Sequence, residues 1–194
     1  MRDHIIRQAF HNSILKSAHE DTETFVVDEL GLKNGKIRAD IAVLNGKLIG
    51  FEIKTERDTL SRLPSQVEAY SEIFDKVFIV VSENHLQKAL GLIPEWWGVY
   101  TIKSNEEGDY CFLNIRKGKT NKGQESYSLA QLLWKAEALE VANTIIKKGV
   151  NPKTPKHEVY DFLSRVFSSK KLSKIVLQYL KQRDNWRINH ALLS

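Results

Sequence analysis

The sequence predicts an α/β protein, a mixed central β-sheet flanked by helices in the order αβββαβαβ, with a helical C-terminal extension. Three observations predict it. Two stretches of alternating polarity, residues 37–44 and 47–54, flank Asn45-Gly46, the strongest short-range hairpin signal. The continuous apolar run Val77-Phe-Ile-Val-Val has the texture of a strand buried on both faces. An amphipathic segment separates that run from the hairpin, so the run reads as a crossover strand lying parallel to its partner.

Each element has its own signal. Ile5, Ile6, Phe10, Ile14 and Leu15 fall at helical spacing and predict an opening amphipathic helix over residues 3–19. Residues 24–32 are short and β-branched, and end at the turn signal Lys33-Asn-Gly-Lys, which makes them a first strand antiparallel to the hairpin. Asp58 opens a helix that runs to about Phe74, with Leu63, Val67, Tyr70 and Ile73 or Phe74 as its apolar stripe. A short helix over 85–90 and a fifth strand from Trp97 to Ile102 complete a core over residues 1–102. Beyond it, residues 103–124 carry Gly108, Gly118 and Gly123 among charges and read as a hairpin or loop excursion. Residues 129–148 predict one helix with Leu132, Leu133, Ala136, Leu139 and Ile146 inward. Asn151-Pro-Lys-Thr-Pro breaks the chain, and residues 156–187 predict two helices meeting near Ser168-Ser169.

Composition narrows the function classes. Of the 194 residues, 42% are hydrophobic and 27% charged, which supports a packed core rather than global disorder. The formal charge of +5 leans toward a polyanionic partner. Cys111 is the only cysteine, so an internal disulfide, a cysteine-rich zinc site and a CxxC redox motif are all excluded. No run approaches the roughly 18 apolar residues of a membrane span, and the first residues lack the apolar stretch of a signal peptide. The expectation is a soluble, cytoplasmic protein with no membrane association.

Strand alternation places the chemistry. In 37–44, Arg38, Asp40 and Ala42 point opposite to Ile37, Ala39, Ile41 and Val43; in 47–54, Gly50, Glu52 and Lys54 point opposite to Ile49, Phe51 and Ile53. A tight turn then lays Asp40 beside Glu52 and Lys54. Two neighbouring carboxylates repel unless a cation or proton intervenes. Mg²⁺ takes one or two carboxylates plus water and substrate phosphate, and such an ion can polarise a phosphoryl oxygen and activate water. Lys54 can orient that water or stabilise the phosphate charge that develops. The competing reading of an isolated D…ExK is a solvated strand face with weak cross-strand ion pairs. Against it stand Gln66 and Tyr70, spaced i and i+4 on the following helix and both able to bind a phosphate or a metal-bound water.

Taken together, Arg38-Ala-Asp40, Gly50-Phe-Glu52-Ile-Lys54, Asp58-Thr-Leu-Ser-Arg62-Leu and Gln66-Val-Glu-Ala-Tyr70 resemble the PD-(D/E)xK nuclease superfamily. The pattern is most similar to the sce7726-type bacterial and phage proteins, related to the RecB-like branch with its Q-x-x-x-Y helix. The resemblance covers roughly residues 1–100, and Ala39 stands where the superfamily's nominal proline would be. It implies a restriction-endonuclease-like core. Asp40 and Glu52 become metal ligands, with the Ile53 carbonyl as a third, and Lys54 the catalytic lysine supported by Gln66 and Tyr70. It also implies an added acid, for which Glu29 is a better candidate than Glu20. The activity implied is Mg²⁺- or Mn²⁺-dependent hydrolysis of nucleic acid, DNA in preference to RNA. The alternatives are a non-catalytic nucleic-acid-binding module, or a regulatory or specificity subunit of a defence or repair complex.

The remaining polar residues have plainer readings beside the chemical ones. Arg38 contacts phosphate, pins Asp40, or simply makes a structural ion pair. Asp58 and Arg62 suit a helix cap with an i,i+4 ion pair. His4 and His11 read as solvent-facing, and Trp96-Trp97 as core. From Lys147 to Arg187, eleven Lys/Arg face three Asp/Glu, interleaved with Tyr160, Phe162, Phe167, Tyr179 and Trp186. That basic extension either grips phosphates or forms a helical cap, and its helices are the candidate surface for a homodimer or a protein partner.

Overall fold

A computed structural model of the chain describes residues 3–104 and 109–183. Gly108, Trp186 and Arg187 lie outside the described residues. Two helices open the chain, α1 (Asp3–Ser13) and α2 (Lys16–Glu20), where the sequence predicts one. Next come β1 (Phe25–Leu32), a single 3-10 turn (Lys33–Gly35), β2 (Ile37–Leu44) and β3 (Leu48–Lys54). Helix α3 (Leu63–Ile73) crosses to β4 (Lys76–Ser82), then α4 (Glu83–Leu90) leads to β5 (Gly98–Ser104). The excursion that follows is a strand, β6 (Tyr110–Arg116), and the chain ends in α5 (Ser126–Ala130), α6 (Lys135–Asn143), α7 (Lys156–Val166) and α8 (Ser169–Gln182).

The six strands form one sheet in sequence order. β1, β2 and β3 pair antiparallel, β4 and β5 add on parallel to β3, and β6 closes the edge antiparallel to β5. The expected mixed sheet flanked by helices, with β4 parallel across its crossover helix, is therefore present. The hairpin turn is one residue longer than predicted: Leu44 pairs with Leu48, and Asn45 N donates to Lys47 O at 3.2 Å across a three-residue loop.

Two apolar layers hold the sheet. On one face Ile6, Phe10 and Leu15 pack on Ile41, Val43, Phe51, Ile53, Val80 and Ile102. On the other, α3 to α8 cover Ala42, Leu44, Leu48, Val77, Ile79 and Val81 in a single larger cluster. Simple alternation fails along β2, because Ala39 joins the helix-covered cluster with Ala42 rather than the face of Ile41 and Val43. The reason sits across the ladder. Asp28 pairs with Ile41 and Leu30 with Ala39, and Glu29 between them has φ 56°, so the paired strands change face together at Glu29 and Asp40.

The predicted helix over 129–148 is broken at 131–134. Glu137 Oε2 accepts from Trp134 N at 2.6 Å and restarts the helix in a new phase. Leu132 and Leu133 remain buried, while Ala136 turns outward and Ala138, Val141 and Ala142 take the core. Trp97 is fully buried, and Tyr160 packs in the helical cluster with Phe162, Phe167 and Tyr179 partly buried against it, so these rings serve packing. Among the described residues no helix is long and apolar enough to cross a membrane.

Candidate active site

The last β2–β3 pair is Ile41 with Phe51. One step further the ladder opens, and the Asp40 side chain fills the gap, its Oδ2 accepting from Ile53 N at 2.7 Å. A strand residue's N–H and C=O point to the same edge, so the Ile53 carbonyl faces Asp40 as well. Glu52 and Lys54 project to the α3 side, where both are buried and the Lys54 ammonium sits 2.5 Å from Glu52 Oε1.

Helix α3 supplies the clamp. Gln66 Nε2 donates to Glu52 Oε1 at 2.5 Å, and the Tyr70 hydroxyl donates to Glu52 Oε2 at 2.5 Å. Tyr70 also accepts from Asp40 N at 3.2 Å, so one phenol ties together the two carboxylate-bearing strands. Burial first, and then the negative charges of Glu52 and Asp40, push the Tyr70 pKa well above 10, which keeps it a donor. The helix starts five residues later than expected. Asp58 precedes it and accepts from Thr55 N and Oγ1 at 2.7 Å, closing a turn rather than capping the helix or pairing with Arg62.

Asp40 is the electrostatically strained member. Desolvation first, and Glu52 second, raise its pKa from 3.8 to about 7; the Ile53 N–H, Arg7 and Lys54 only partly offset this. Arg7, from α1, lies 3.5 Å from Asp40 Oδ1 and 2.6 Å from Glu29 Oε1. Burial would lower the Arg7 pKa, but Glu29, Asp40 and Asp3 more than compensate, and it stays cationic. Arg7 is not among the residues the sequence singles out; Arg38, for which it leaves a phosphate contact, a pin for Asp40 and a structural ion pair open, is largely exposed and makes the ion pair, with Glu29 at 3.9 Å.

His11 is also corrected. It is buried, not solvent-facing, with Nδ1 2.8 Å from His19 Nε2 and Nε2 3.0 Å from Asp28 Oδ1. This chain of rings docks α1 on β1 one helical turn beyond Arg7, which fixes Arg7 over Asp40. Of the two candidate added acids, Glu29 lines the same cleft as Asp40 and Glu52 and pairs there with Arg7 and Arg38, with 42% of its side chain exposed. Glu20 is exposed, pairs with Lys16 at 4.0 Å and does not line that cleft.

Asp40, Glu52, Ile53, Lys54 and Gln66 thus converge on a cleft of about 450 Å³, and Glu29 lies on its wall. Exposed Lys36, Arg38 and Arg62 also line it. Gln66 Oε1 is buried and has no hydrogen-bond partner, although an amide oxygen in that position needs one. Two carboxylates, an edge carbonyl and an unspent amide oxygen are the oxygen donors that a hard divalent cation and its waters take. Among the described residues no three His, Cys, Asp or Glu side chains gather as a metal cage. Asp40, Glu52 and the Ile53 carbonyl are the groups that could hold such an ion, with water and substrate oxygens completing its shell.

Three comparisons place the chain among known proteins. It is 26% identical over 163 residues to Protein cII of Enterobacteria phage P4, an alignment covering 84% of this chain and 60% of that protein. The aligned region thus spans less than two thirds of the relative's length. Among solved structures, the SPO1766 protein of unknown function from Silicibacter pomeroyi aligns at TM-score 0.39 and 19% identity, covering 70% of this chain and 86% of that one. The family described as Bacteriophage P4 protein cII matches residues 1–191. The chain therefore belongs to the Bacteriophage P4 protein cII family.

Proposed function

We propose that this chain is a divalent-metal-dependent nuclease with a restriction-endonuclease-like core of the PD-(D/E)xK type, acting on nucleic acid and on DNA before RNA. The observation that carries the reading is the opened end of the β2–β3 ladder, where Asp40, Glu52 and Lys54 meet Gln66 and Tyr70 in one cleft. A buried carboxylate beside a second one whose pKa is pushed up to about 7, with an unpartnered amide oxygen next to them, is the pattern of a functional cleft more than of a solvated strand face.

Asp40 and Glu52 would hold the ion, with the Ile53 carbonyl beside them. The bound ion supplies Lewis-acid polarisation of the phosphoryl group and an activated water. The chain's own side chains do the rest. Gln66 and Tyr70 fix the Glu52 carboxylate, and Gln66 Oε1 is free to accept from a water. The Lys54 ammonium, paired to Glu52 at the cleft, would stabilise negative charge developing on phosphate oxygens. Arg7 holds Asp40 in register with the opened ladder. Lys36, Arg38 and Arg62 draw the polyanion to the cleft.

A second reading, a binding or specificity module without catalysis, draws on one observation: both Glu52 oxygens are already occupied by protein donors. The two separate in a cleavage assay. Single- and double-stranded DNA and RNA are incubated with Mg²⁺ or Mn²⁺ or with EDTA, beside Glu52→Gln. Cutting that requires both the metal and Glu52 supports the nuclease. Nucleic acid bound but uncut in every metal supports the module and ends the catalytic reading.

A further inference from the structure

A second cleft of about 330 Å³ adjoins the first, and Gly35 lines both. The wall between them is the Lys33–Gly35 turn, in which Lys33, Asn34 and Gly35 all have positive φ. The Lys33 ammonium bonds Glu72 of α3, which also receives Ser128 of α5, so the turn is tied to the helical layer at its base. The far wall is built by the C-terminal helices: Gln131 and Trp134 from the break before α6, Lys156 at the start of α7, and Arg183 just past α8.

Trp134 is 56% exposed, more than any other large hydrophobic residue among those described. It is nevertheless held. Its backbone N–H is bound to Glu137, and the Arg183 guanidinium lies 4.3 Å from its ring centroid. Arg183 is itself fixed by a two-point ion pair to Glu137, at 2.9 and 2.6 Å, and by donation to Leu132 O at 2.8 Å. The indole therefore has one face backed by a cation and much of its surface open to solvent, at low cost in conformational entropy. Core packing does not call for such an arrangement. An exposed, braced aromatic with lysine beside it is what an unpaired nucleobase and its phosphate bind.

We infer that a single-stranded polynucleotide runs from the catalytic cleft over the Lys33–Gly35 turn, stacks a base on Trp134 and places a phosphate at Lys156. This rests on the nuclease reading and names its substrate: a strand with an unpaired flank, since a base offers its face only when unpaired. Lys36 and Arg38 on one side of the turn and Lys156 on the other place cations at both ends of the path, among the carboxylates of the first cleft.

The test measures binding without catalysis. Fluorescein-labelled oligo(dT) of 4 to 20 nucleotides, and a duplex of matching length, are titrated with full-length protein in EDTA and followed by anisotropy. Trp134→Ala weakens binding of the longer single strands about 10-fold or more and spares the duplex, and Trp134→Phe recovers much of the loss. Lys156→Ala weakens binding less and flattens the salt dependence. In Mg²⁺ or Mn²⁺, Trp134→Ala raises KM for oligonucleotides but leaves hydrolysis of bis(4-nitrophenyl) phosphate unchanged, because that small diester occupies the first cleft alone. Unchanged oligonucleotide affinity in Trp134→Ala, or equal losses for single strand and duplex, overturns the inference even if Glu52→Gln abolishes cutting. Weakened single-strand binding beside cleavage indifferent to Glu52→Gln keeps the platform and removes the nuclease.

Discussion

Replacing Asp40 by asparagine is expected to make the protein more stable and less functional at once. Asp40 titrates near 7 instead of 3.8, chiefly because burial and Glu52 oppose its charge. Between about pH 4 and pH 7 the folded chain holds a proton that the unfolded chain has released, so stability falls as pH rises through that window and levels off above it. At about 1.4 kcal/mol per pKa unit, a rise of roughly three units sets a ceiling near 4 kcal/mol on the penalty at pH 8. The asparagine side chain would carry no charge at any pH, and its oxygen can still accept from Ile53 N; it loses the attraction of Arg7. The net expectation is a gain of about 2 kcal/mol at pH 8, or roughly 4–8 °C in Tm for a chain of this size. By pH 4 the gain disappears, because Asp40 is then protonated in the wild-type fold. Thermal unfolding of both proteins in EDTA at pH 4, 6 and 8 reads this directly. An Asp40→Asn protein no more stable than wild type at pH 8, or one whose advantage is the same at every pH, refutes the reasoning.

Other perturbations follow from the same geometry. Tyr70→Phe removes the donor to Glu52 and the acceptor for Asp40 N inside the core; urea denaturation should show a loss of about 1–3 kcal/mol, and a loss under about 0.5 kcal/mol would contradict the clamp. Arg7→Met takes away a charge that lowers the Asp40 pKa, so the acid limb of the pH–rate profile for metal-dependent cleavage should move to higher pH; a limb that stays in place would leave Arg7 without the role given it. Gly98→Ala would put a Cβ 2.1 Å from the Phe78 ring and 2.8 Å from Gly118 N. It should cost about 1–3 kcal/mol or more in thermal stability, whereas a neutral result would mean that the β4–β5 region yields more easily than its packing implies.

Local rules carried much of this molecule. Period-two alternation and the Asn45-Gly46 turn place Glu52 and Lys54 on the α3 side, and helical spacing puts Gln66 and Tyr70 over them. What escaped was set by distant partners. Arg7 meets Asp40 across 33 residues, and a helix docked through buried His11 leaves no periodic trace of which arginine it delivers. Glu29 adopts a left-handed φ with no glycine at that position to announce it, and β1 and β2 change face together at that step of the ladder. The break before α6 is similarly hidden: leucine, alanine and glutamate favour a continuous helix, but Glu137 caps Trp134 and holds Arg183 from the far end of the chain. Local propensity lost to a tertiary ion pair there.

The central claim meets its most direct test in Lys54→Ala. Wild type and variant, matched by circular dichroism and Tm, are compared on single-stranded DNA with Mg²⁺, with Mn²⁺ and with EDTA. Cleavage that needs the divalent ion and disappears in Lys54→Ala is the predicted result. Equal cleavage by both proteins, or cleavage that persists in EDTA, would contradict a metal-dependent site built on Asp40, Glu52 and Lys54.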